Sequence, residues 1–262
     1  MNPVKDLLPG PGYAPGMAAL ESRWIQTGDL SAAAAGATLA ERVRLARGYA
    51  LDERSLGILE RPGLGAMHPG RTLPGATAVA ERLEAAIRAG RPIAIYGDYD
   101  ADGITATAIL WRTMRALKPD ADVRWYVPDR FEEGYGLNEG ALESLAAQGV
   151  QVVVTVDCGV SAVGPARRAR ELGLELLVTD HHHAEPDGIA DAAAIAHPAL
   201  PGREAAPFAD LCGAAVAFKV ACELCRVWCG GDRIAKGLNE ALVACLPLVD
   251  RKSTRLNSSH AN

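Results

Sequence analysis

Short apolar runs alternate with helical patterns through the chain from about residue 76 onward. The first helical pattern, ATAVAERLEAAIRAG, is amphipathic and ends at Gly90. Strands that alternate with helices predict an α/β fold with a mostly parallel sheet and helices on both faces. The predicted strands are Ile93 to Tyr96, Val123 to Val127, Val152 to Val156, Leu174 to Val178 and Ala193 to Ala196.

The first predicted strand runs into three aspartates at alternate positions. Asp98, Asp100 and Asp102 are followed by Gly103 and then by a helical pattern. Alternate side chains of an extended segment share a face, so the three carboxylates can converge on one point. Carboxylates at such short distances repel one another unless a cation lies among them. The segment is therefore a calcium loop, a catalytic metal site or a solvated acidic turn.

Two features of the sequence argue against an EF-hand calcium loop. An EF-hand loop needs a bidentate glutamate at its twelfth position, and counting from Asp98 that position is Ile109. An EF-hand loop also lies between two helices, whereas PIAIYG reads as a buried strand. A catalytic metal site and an acidic turn remain.

Two other predicted strands end in the same way as the first. QVVVTVDCG ends on Asp157, and that residue could instead cap the helix expected near Ser161. LELLVTDHHH ends on Asp180, His181, His182 and His183. Because ligands bind at the carboxyl ends of strands in open α/β sheets, three such ends at one sheet edge favour a metal site over a solvated turn.

The residue types indicate which metals and which reaction fit. Carboxylate oxygens with imidazole nitrogen suit manganese, magnesium or zinc, and several shared acids suit two ions ~3.5–4 Å apart. Two such cations favour phosphoester hydrolysis, because they activate water and offset charge on the phosphoryl group. No G-x-x-x-x-G-K-[ST] loop occurs, so a nucleotide-driven motor is not expected.

Composition bounds the class of protein. The 262 residues are 49% apolar and 23% charged, which suits one large or two small globular domains. A net charge of −5 argues against binding nucleic acid through overall positive charge. There is no run of 18 apolar residues and no signal-peptide pattern, so a cytoplasmic protein without a membrane partner is expected.

The six cysteines suit a compartment in which thiols stay reduced. Cys222, Cys225 and Cys229 have the spacing of one helix face, and no second Cys/His pair stands at zinc-ligand spacing. Small buried thiols explain this group better than a zinc site does.

The three acidic motifs lead to a known family. GDYDADG, VTVDCG and VTDHH, in this order, resemble the motifs of the DHH phosphoesterases. VPDRFEEGYGLN, AIAHPAL and CGAAVAFK narrow the resemblance to RecJ-type single-stranded-DNA exonucleases, from about Leu45 to Asp250. The resemblance implies a DHH phosphoesterase domain over residues 45–250.

The resemblance also implies a function. The expected activity is hydrolysis of single-stranded DNA from its 5′ end, with release of 5′-mononucleotides, in DNA repair and recombination. The expected cofactors are two Mn²⁺ or Mg²⁺ ions. Two alternatives stay open: a phosphodiesterase acting on short oligonucleotides or cyclic dinucleotides, and a metal-binding fragment without useful activity.

The resemblance assigns roles to individual residues. The implied metal ligands, all with catalytic roles, are Asp100, Asp102, Asp157, His181 and Asp250. His182 is expected near the scissile phosphate, and Asp98 and Asp180 are expected to orient the ligands as supporting acids. Family members often carry histidine where Tyr96 stands, which leaves one metal site a ligand short if that position ligates. His183 lies beyond the motif and is expected to be exposed.

For two further residues and one helix, the sequence leaves two alternative roles open. Arg130 contacts a substrate phosphate or pairs with Glu132 or Glu133. His197 reaches the DNA backbone or only closes a turn before Pro198. The helix that begins at CGAAVAFK packs in the core, or its N-terminus also receives a phosphate.

The two ends of the chain resemble the family least. Residues 1–44 form a poorly defined N-terminal extension. By the family pattern, ALVACLPLVD is expected to be a strand that delivers Asp250, followed at residues 251–262 by a polar tail that looks foreign. Family members continue with a DHH-associated substrate-binding domain and an OB-fold, and the aromatic and basic residues for gripping DNA are expected there.

Overall fold

The computed structural model describes residues 67–129, 131, 133–134, 136–206 and 209–253, with the backbone alone from residue 250. The predicted N-terminal extension, Arg130 and the end of the polar tail therefore lie outside the described residues or their side chains.

The strands form one parallel sheet with the order β2-β1-β3-β4-β5. They are β1 Ile93–Tyr96, β2 Val123–Tyr126, β3 Val152–Val156, β4 Glu175–Thr179 and β5 Ala194–Ala196. Each coincides with a predicted strand to within one residue at either end. The central strands β1 and β3 are buried along their whole length, as expected when helices cover both faces of a parallel sheet.

The helices pack in two layers. They are α1 Ala76–Ala89, α2 Ala101–Leu117, α3 Glu139–Ala147, α4 Val163–Glu171, α5 Gly213–Trp228, α6 Lys236–Val243 and α7 Leu246–Ser253. Helices α1 and α2 both pack on α5 on one face, whereas α3 and α4 pack together over the core on the other. The predicted α/β fold is thus confirmed. Within the described residues, no helix is both long and apolar enough to span a membrane.

The strand order places a crevice between β1 and β3. The chain leaves β1 to form β2 on one side of it and later returns to form β3 on the other. Ligands of open α/β sheets bind outside the carboxyl ends of the strands at such a reversal. The acids that follow β1 and β3 therefore flank the place where this fold can hold a ligand.

The strand predicted within ALVACLPLVD is wrong. This segment lies in helices α6 and α7, and Asp250 is a helical residue of α7. The segment is rich in alanine and leucine, which favour helices, and Pro247 lies in the first turn of α7, where a missing N–H costs nothing. The assignment of Asp250 as a metal ligand stays a prediction.

Candidate metal centre

Helix α2 begins within the run of acids that follows β1, and Asp102 lies in its first turn. Asp100 is its N-cap, and one carboxylate oxygen accepts hydrogen bonds from the N–H groups of Asp102 (2.7 Å) and Gly103 (2.9 Å). A Cβ at Gly103 would lie 2.5–2.7 Å from backbone atoms of Asp98. Glycine at this position therefore lets the first turn of α2 close tightly over Asp98.

Asp102 joins the starts of two helices. Its carboxylate accepts hydrogen bonds from the N–H groups of Gly213 (2.7 Å) and Ala214 (2.8 Å) at the start of α5. A carboxylate at a helix N-terminus satisfies free N–H groups and favours the helix dipole. The alternative in which this N-terminus receives a substrate phosphate is therefore not supported, because Asp102 takes that place.

Asp157 follows β3 in a backbone conformation that few non-glycine residues adopt. Its φ of 61° lies in the left-handed region, and Asp157 is the only non-glycine residue with positive φ among the described residues. Asp157 is 1% exposed, and its Oδ1 atom has no hydrogen-bond partner. Helix α4 begins at Val163 without a side-chain cap, so the alternative of Asp157 as its cap is wrong.

The loop after β4 carries two histidines held by one acid. Asp180 accepts hydrogen bonds from the N–H groups of Val160, His181 and His182. It also contacts Nδ1 of His182 at 2.8 Å, which orients that ring. The rings of His181 and His182 lie against each other, with centroids 4.6 Å apart. These contacts agree with a supporting role for Asp180, which stays a prediction.

His181 faces two carboxylates without a hydrogen bond to either. Its Nε2 atom lies 3.1 Å from Oδ1 of Asp157 and 3.7 Å from Oδ2 of Asp102. Nε2 is buried and has no hydrogen-bond partner, as is also true of Oδ1 of Asp157. Buried polar atoms normally have partners, and a cation between these atoms would serve both.

Two groups of donor atoms meet around Asp157. One consists of Asp157, His181 and His182, and the other of Asp98, Asp100 and Asp157, with the donors of each group within 4.8 Å of one another. Carboxylate oxygens and imidazole nitrogen fit manganese and magnesium. Because Asp157 belongs to both groups, it has the position of an acid that bridges two ions.

Electrostatics at the site favour a cation. Burial is the main cause that raises the pKa of Asp157 to about 6, and the carboxylates of Asp102 and Asp100 raise it further against the opposing effect of His181. Burial also raises the pKa of Asp98, as does the nearby Asp100. These carboxylates repel one another when they are charged and close together, and a divalent ion would offset the repulsion.

The raised pKa of Asp157 predicts how the metal-free protein responds to pH. A carboxyl that titrates near 6 when folded and near 3.8 when unfolded destabilises the fold above pH 6. That penalty disappears as the pH falls through 6 toward 4, because the folded state takes up the proton first. Relative to Asp157→Asn, we expect the parent to gain on the order of 2–3 kcal/mol of unfolding free energy between pH 7.5 and pH 4.

Urea unfolding of both proteins with a chelator, at several pH values, measures this gain. The asparagine variant is a suitable reference because asparagine tolerates the left-handed backbone. A difference in stability that stays constant across this range would contradict the prediction.

The two remaining predicted histidines, His197 and His183, make their contacts within the protein. His197 is buried, its Nε2 contacts the carbonyl of His182 at 2.8 Å, and its Nδ1 accepts the N–H of Ala199. Both ring nitrogens are thus used within the protein, which favours the turn-closing role over contact with DNA. His183 is exposed, as expected, and pairs with Glu185.

The thiols take no part in the donor groups. Cys225 is buried and Cys222 and Cys229 are partly buried along α5. Within the described residues, neither donor group at the metal centre contains a cysteine. These observations agree with the interpretation of the three cysteines as packed thiols.

Two contacts that position the site were not predicted from the sequence. Gly213 lies against Asp157, and a Cβ there would be 2.1 Å from its Oδ1 atom. His197 supports the carbonyl of His182 from a different strand end. The glycine in CGAAVAFK is a signal for close packing, but the sequence does not say which residue it approaches.

Comparisons with known proteins agree with this geometry. The profile of the DHH family, N-terminal domain, matches residues 92–246. The chain is 46% identical over 149 residues to the single-stranded-DNA-specific exonuclease RecJ of Bacillus subtilis, covering 57% of this chain and 18% of that protein. It is 42% identical over 165 residues to RecJ of Salmonella typhimurium, covering 63% of this chain and 28% of that protein.

A solved structure gives a similar result. The crystal structure of exonuclease RecJ bound to manganese matches with a TM-score of 0.51 and 35% identity, over 66% of this chain and 47% of that one. The chain spans less than a third of the length of the two relatives named above. Because the family profile covers more than half of the chain, this chain belongs to the DHH family and contains its N-terminal domain.

Proposed function

We propose that this chain is the catalytic part of a metal-dependent nuclease. It hydrolyses phosphodiester bonds of single-stranded DNA from the 5′ end and releases 5′-mononucleotides, in DNA repair and recombination. The observation that carries the proposal is the pair of donor groups sharing Asp157. The similarity to RecJ exonucleases, one of them described as bound to manganese, supports both the substrate and the metal.

The metal ligands come from three strand ends. Asp157 would contribute to both metal sites, and the ends of β1 and β4 would supply the other donors, which include Asp100 and His181. Bound here, two Mn²⁺ or Mg²⁺ ions would activate a water molecule and neutralise charge that develops on the phosphoryl oxygens. Asp102 supports the site by accepting a hydrogen bond from the first N–H group of α5. Its Oδ2 atom also lies 3.7 Å from Nε2 of His181.

His182 is placed to contact the substrate. Its side chain is 45% exposed, and Asp180 contacts its Nδ1 atom. With Nδ1 held in this way, the ring has a fixed orientation beside the donor atoms of Asp157 and His181, where a phosphate oxygen near the ions would lie. The carbonyl of His182 is also held by His197, so the residue is fixed at two points. It therefore orients the scissile phosphate rather than forming a covalent bond to it.

A cleft beside His182 can accommodate a nucleotide. Its volume is about 480 Å³, and it is lined by Leu137, by residues 159–165 and by His182 and His183, among others. Small-molecule sites commonly have volumes of about 300–1,000 Å³. Bases and sugars next to the scissile phosphate would lie in this cleft.

No side chain is needed as the nucleophile. Cys158, which follows Asp157, is 1% exposed, and burial raises the pKa of its thiol well above the usual range. A buried, protonated thiol is a poor nucleophile. Water attacks phosphorus and the bond to the 3′ oxygen breaks, which leaves a 5′-phosphate on the shortened strand. Each nucleotide released in the following cycle then carries that phosphate.

The proposal predicts manganese-dependent release of mononucleotides from single-stranded DNA. Oligonucleotides labelled at the 5′ or the 3′ end, single-stranded or in a duplex, are incubated with the protein and Mn²⁺. We expect 5′-labelled mononucleotides as the first product, faster cleavage of the single strand, and no cleavage with excess chelator. Internal cleavage as the first event, or hydrolysis that persists in chelator, would show that the proposed reaction is wrong.

A further inference from the structure

A hydrogen bond from within β3 closes the turn that carries Asp157. Thr155 is fully buried, and its hydroxyl donates to the carbonyl of Cys158 at 2.7 Å. Asp157 lies between the two ends of this bond, so the bond encloses its backbone. Local hydrogen bonds from a threonine side chain to the backbone commonly stabilise turns of this kind.

The backbone of Asp157 requires restraints from its surroundings. Its φ of 61° is unfavourable for a residue with a Cβ atom, and such a conformation persists only where neighbouring groups fix it. The N–H of Asp157 donates to the carbonyl of Thr179 at 2.9 Å, which holds the residue from the N-terminal side. The hydroxyl of Thr155 holds it from the C-terminal side, through the carbonyl of Cys158.

The turn also packs directly on the Thr155 side chain. A Cβ at Gly159, whose φ is 103°, would lie 2.8 Å from Oγ1 and 3.3 Å from Cγ2 of Thr155. The carbonyl of Thr155 accepts a hydrogen bond from the hydroxyl of Thr179 at 2.8 Å, which fixes the end of β3 to the end of β4. The Thr155 hydroxyl therefore has a fixed position from which to hold the turn.

The conformation of this turn decides where the Asp157 carboxylate lies. Oδ1 of Asp157 is 3.1 Å from Nε2 of His181, and Asp157 belongs to both donor groups. The direction of a side chain depends on the dihedrals of its own backbone. A right-handed or extended backbone at Asp157 would therefore point the carboxylate away from both groups.

We propose that Thr155 is a positioning residue of the metal centre, whose hydroxyl holds Asp157 in the left-handed conformation that directs its carboxylate at both donor groups. In this role Thr155 contacts neither ion. Its effect on metal binding rests on the proposed two-metal function, whereas its effect on the backbone is present in the metal-free protein. Loss of the hydroxyl should weaken both ions together, because both depend on Asp157.

Thr155→Val tests the hydroxyl through metal binding. Valine keeps the branched shape, but a methyl group cannot lie 2.7 Å from a carbonyl oxygen, so the turn has to move. We expect Mn²⁺ affinity, measured by calorimetry, to fall at least about tenfold at both sites, as on loss of other residues that orient metal ligands. Thr155→Ser keeps the hydroxyl and should bind Mn²⁺ as the parent does.

The backbone at Asp157 can be observed directly by nuclear magnetic resonance of the metal-free protein. The amide hydrogen and Hα of one residue come closest at positive φ, so a strong Overhauser effect between them reports the left-handed conformation. With excess chelator, we expect a strong effect at Asp157 in the parent and in Thr155→Ser. We expect a weak one in Thr155→Val.

Thr113→Val is the matched control for the valine substitution. Thr113 is also a buried threonine whose hydroxyl donates to a backbone carbonyl, that of Ile109 at 2.8 Å, but it lies within α2. It should change neither the Mn²⁺ affinity nor the Overhauser effect at Asp157. If Thr155→Val does not fold, Thr155→Ala takes its place, because alanine and serine differ only in the hydroxyl.

The proposal is overturned if Thr155→Val keeps the strong Overhauser effect at Asp157, or if Thr155→Ser loses it. It is also overturned if Thr155→Val loses the effect but binds Mn²⁺ as tightly as the parent. A parent that binds no Mn²⁺ would overturn the proposed function, whereas the spectra of the metal-free proteins test the role of Thr155 in the turn on their own.

Discussion

Replacing Asp157 with asparagine is expected to abolish tight binding at both manganese sites and to slow DNA hydrolysis at least about a thousandfold. Asp157 is the one residue shared by the two donor groups, so its loss affects both ions. Metal ions stabilise transition-state charge by several kcal/mol, and each 1.36 kcal/mol corresponds to about a tenfold change in rate.

Asparagine isolates the effect of charge from that of the backbone. The φ of 61° at this position suits asparagine but not alanine, for which a left-handed conformation costs roughly 1–2 kcal/mol. Asp157→Ala should therefore lose the metals and be less stable than Asp157→Asn. Calorimetry with Mn²⁺, urea unfolding and hydrolysis of labelled single strands measure the three quantities. An asparagine variant that keeps either ion at parent affinity would show that Asp157 is not the bridge.

Gly213→Ala is expected to damage the same site from a residue that binds no metal. An alanine Cβ would lie 2.1 Å from Oδ1, 2.4 Å from Cγ and 2.6 Å from Cβ of Asp157. Either Asp157 moves out of the site or α5 shifts and loses the hydrogen bonds to Asp102. We expect manganese affinity to fall by about a hundredfold or more. Overpacking should also lower the unfolding free energy by about 1–3 kcal/mol.

Gly237→Ala is the matched control for this substitution. Gly237 is also near the start of a helix, and no atom lies within 4 Å of the Cβ that would be added there. It should leave metal affinity unchanged and stabilise α6 by up to about 1 kcal/mol, because alanine favours helices. If Gly213→Ala binds manganese as the parent and Gly237→Ala do, the close contact with Asp157 does not matter for the site.

The sequence predicted those parts of the site that depend on local patterns. The buried strands could be recognised because apolar runs of four or five residues end in acids, as at Asp157. The convergence of those acids followed from the parallel sheet alone. The prediction of a strand before Asp250 was wrong. The alanine and leucine residues of this segment favour a helix, whereas the family pattern favours a strand.

The parts that were missed depend on residues far apart in the chain. Asp102 meets Gly213 across 111 positions, and no periodicity or spacing reports such a pair. Which buried polar atoms lack a hydrogen bond, such as Oδ1 of Asp98, is likewise a property of the packed structure. His197 has the residue type of a phosphate contact, but its two nitrogens are bonded within the protein.

The hydrogen bonds between Asp102 and α5 also bear on the order in which the site forms. During synthesis, the aspartates after β1 leave the ribosome well before α5, whose first N–H groups bind Asp102. Contacts between residues this far apart in sequence form late, because a long loop has to close first. A partly synthesised chain therefore carries most of its acids before it can arrange them. The proposed nuclease activity would begin only when α5 docks, after the sheet is complete.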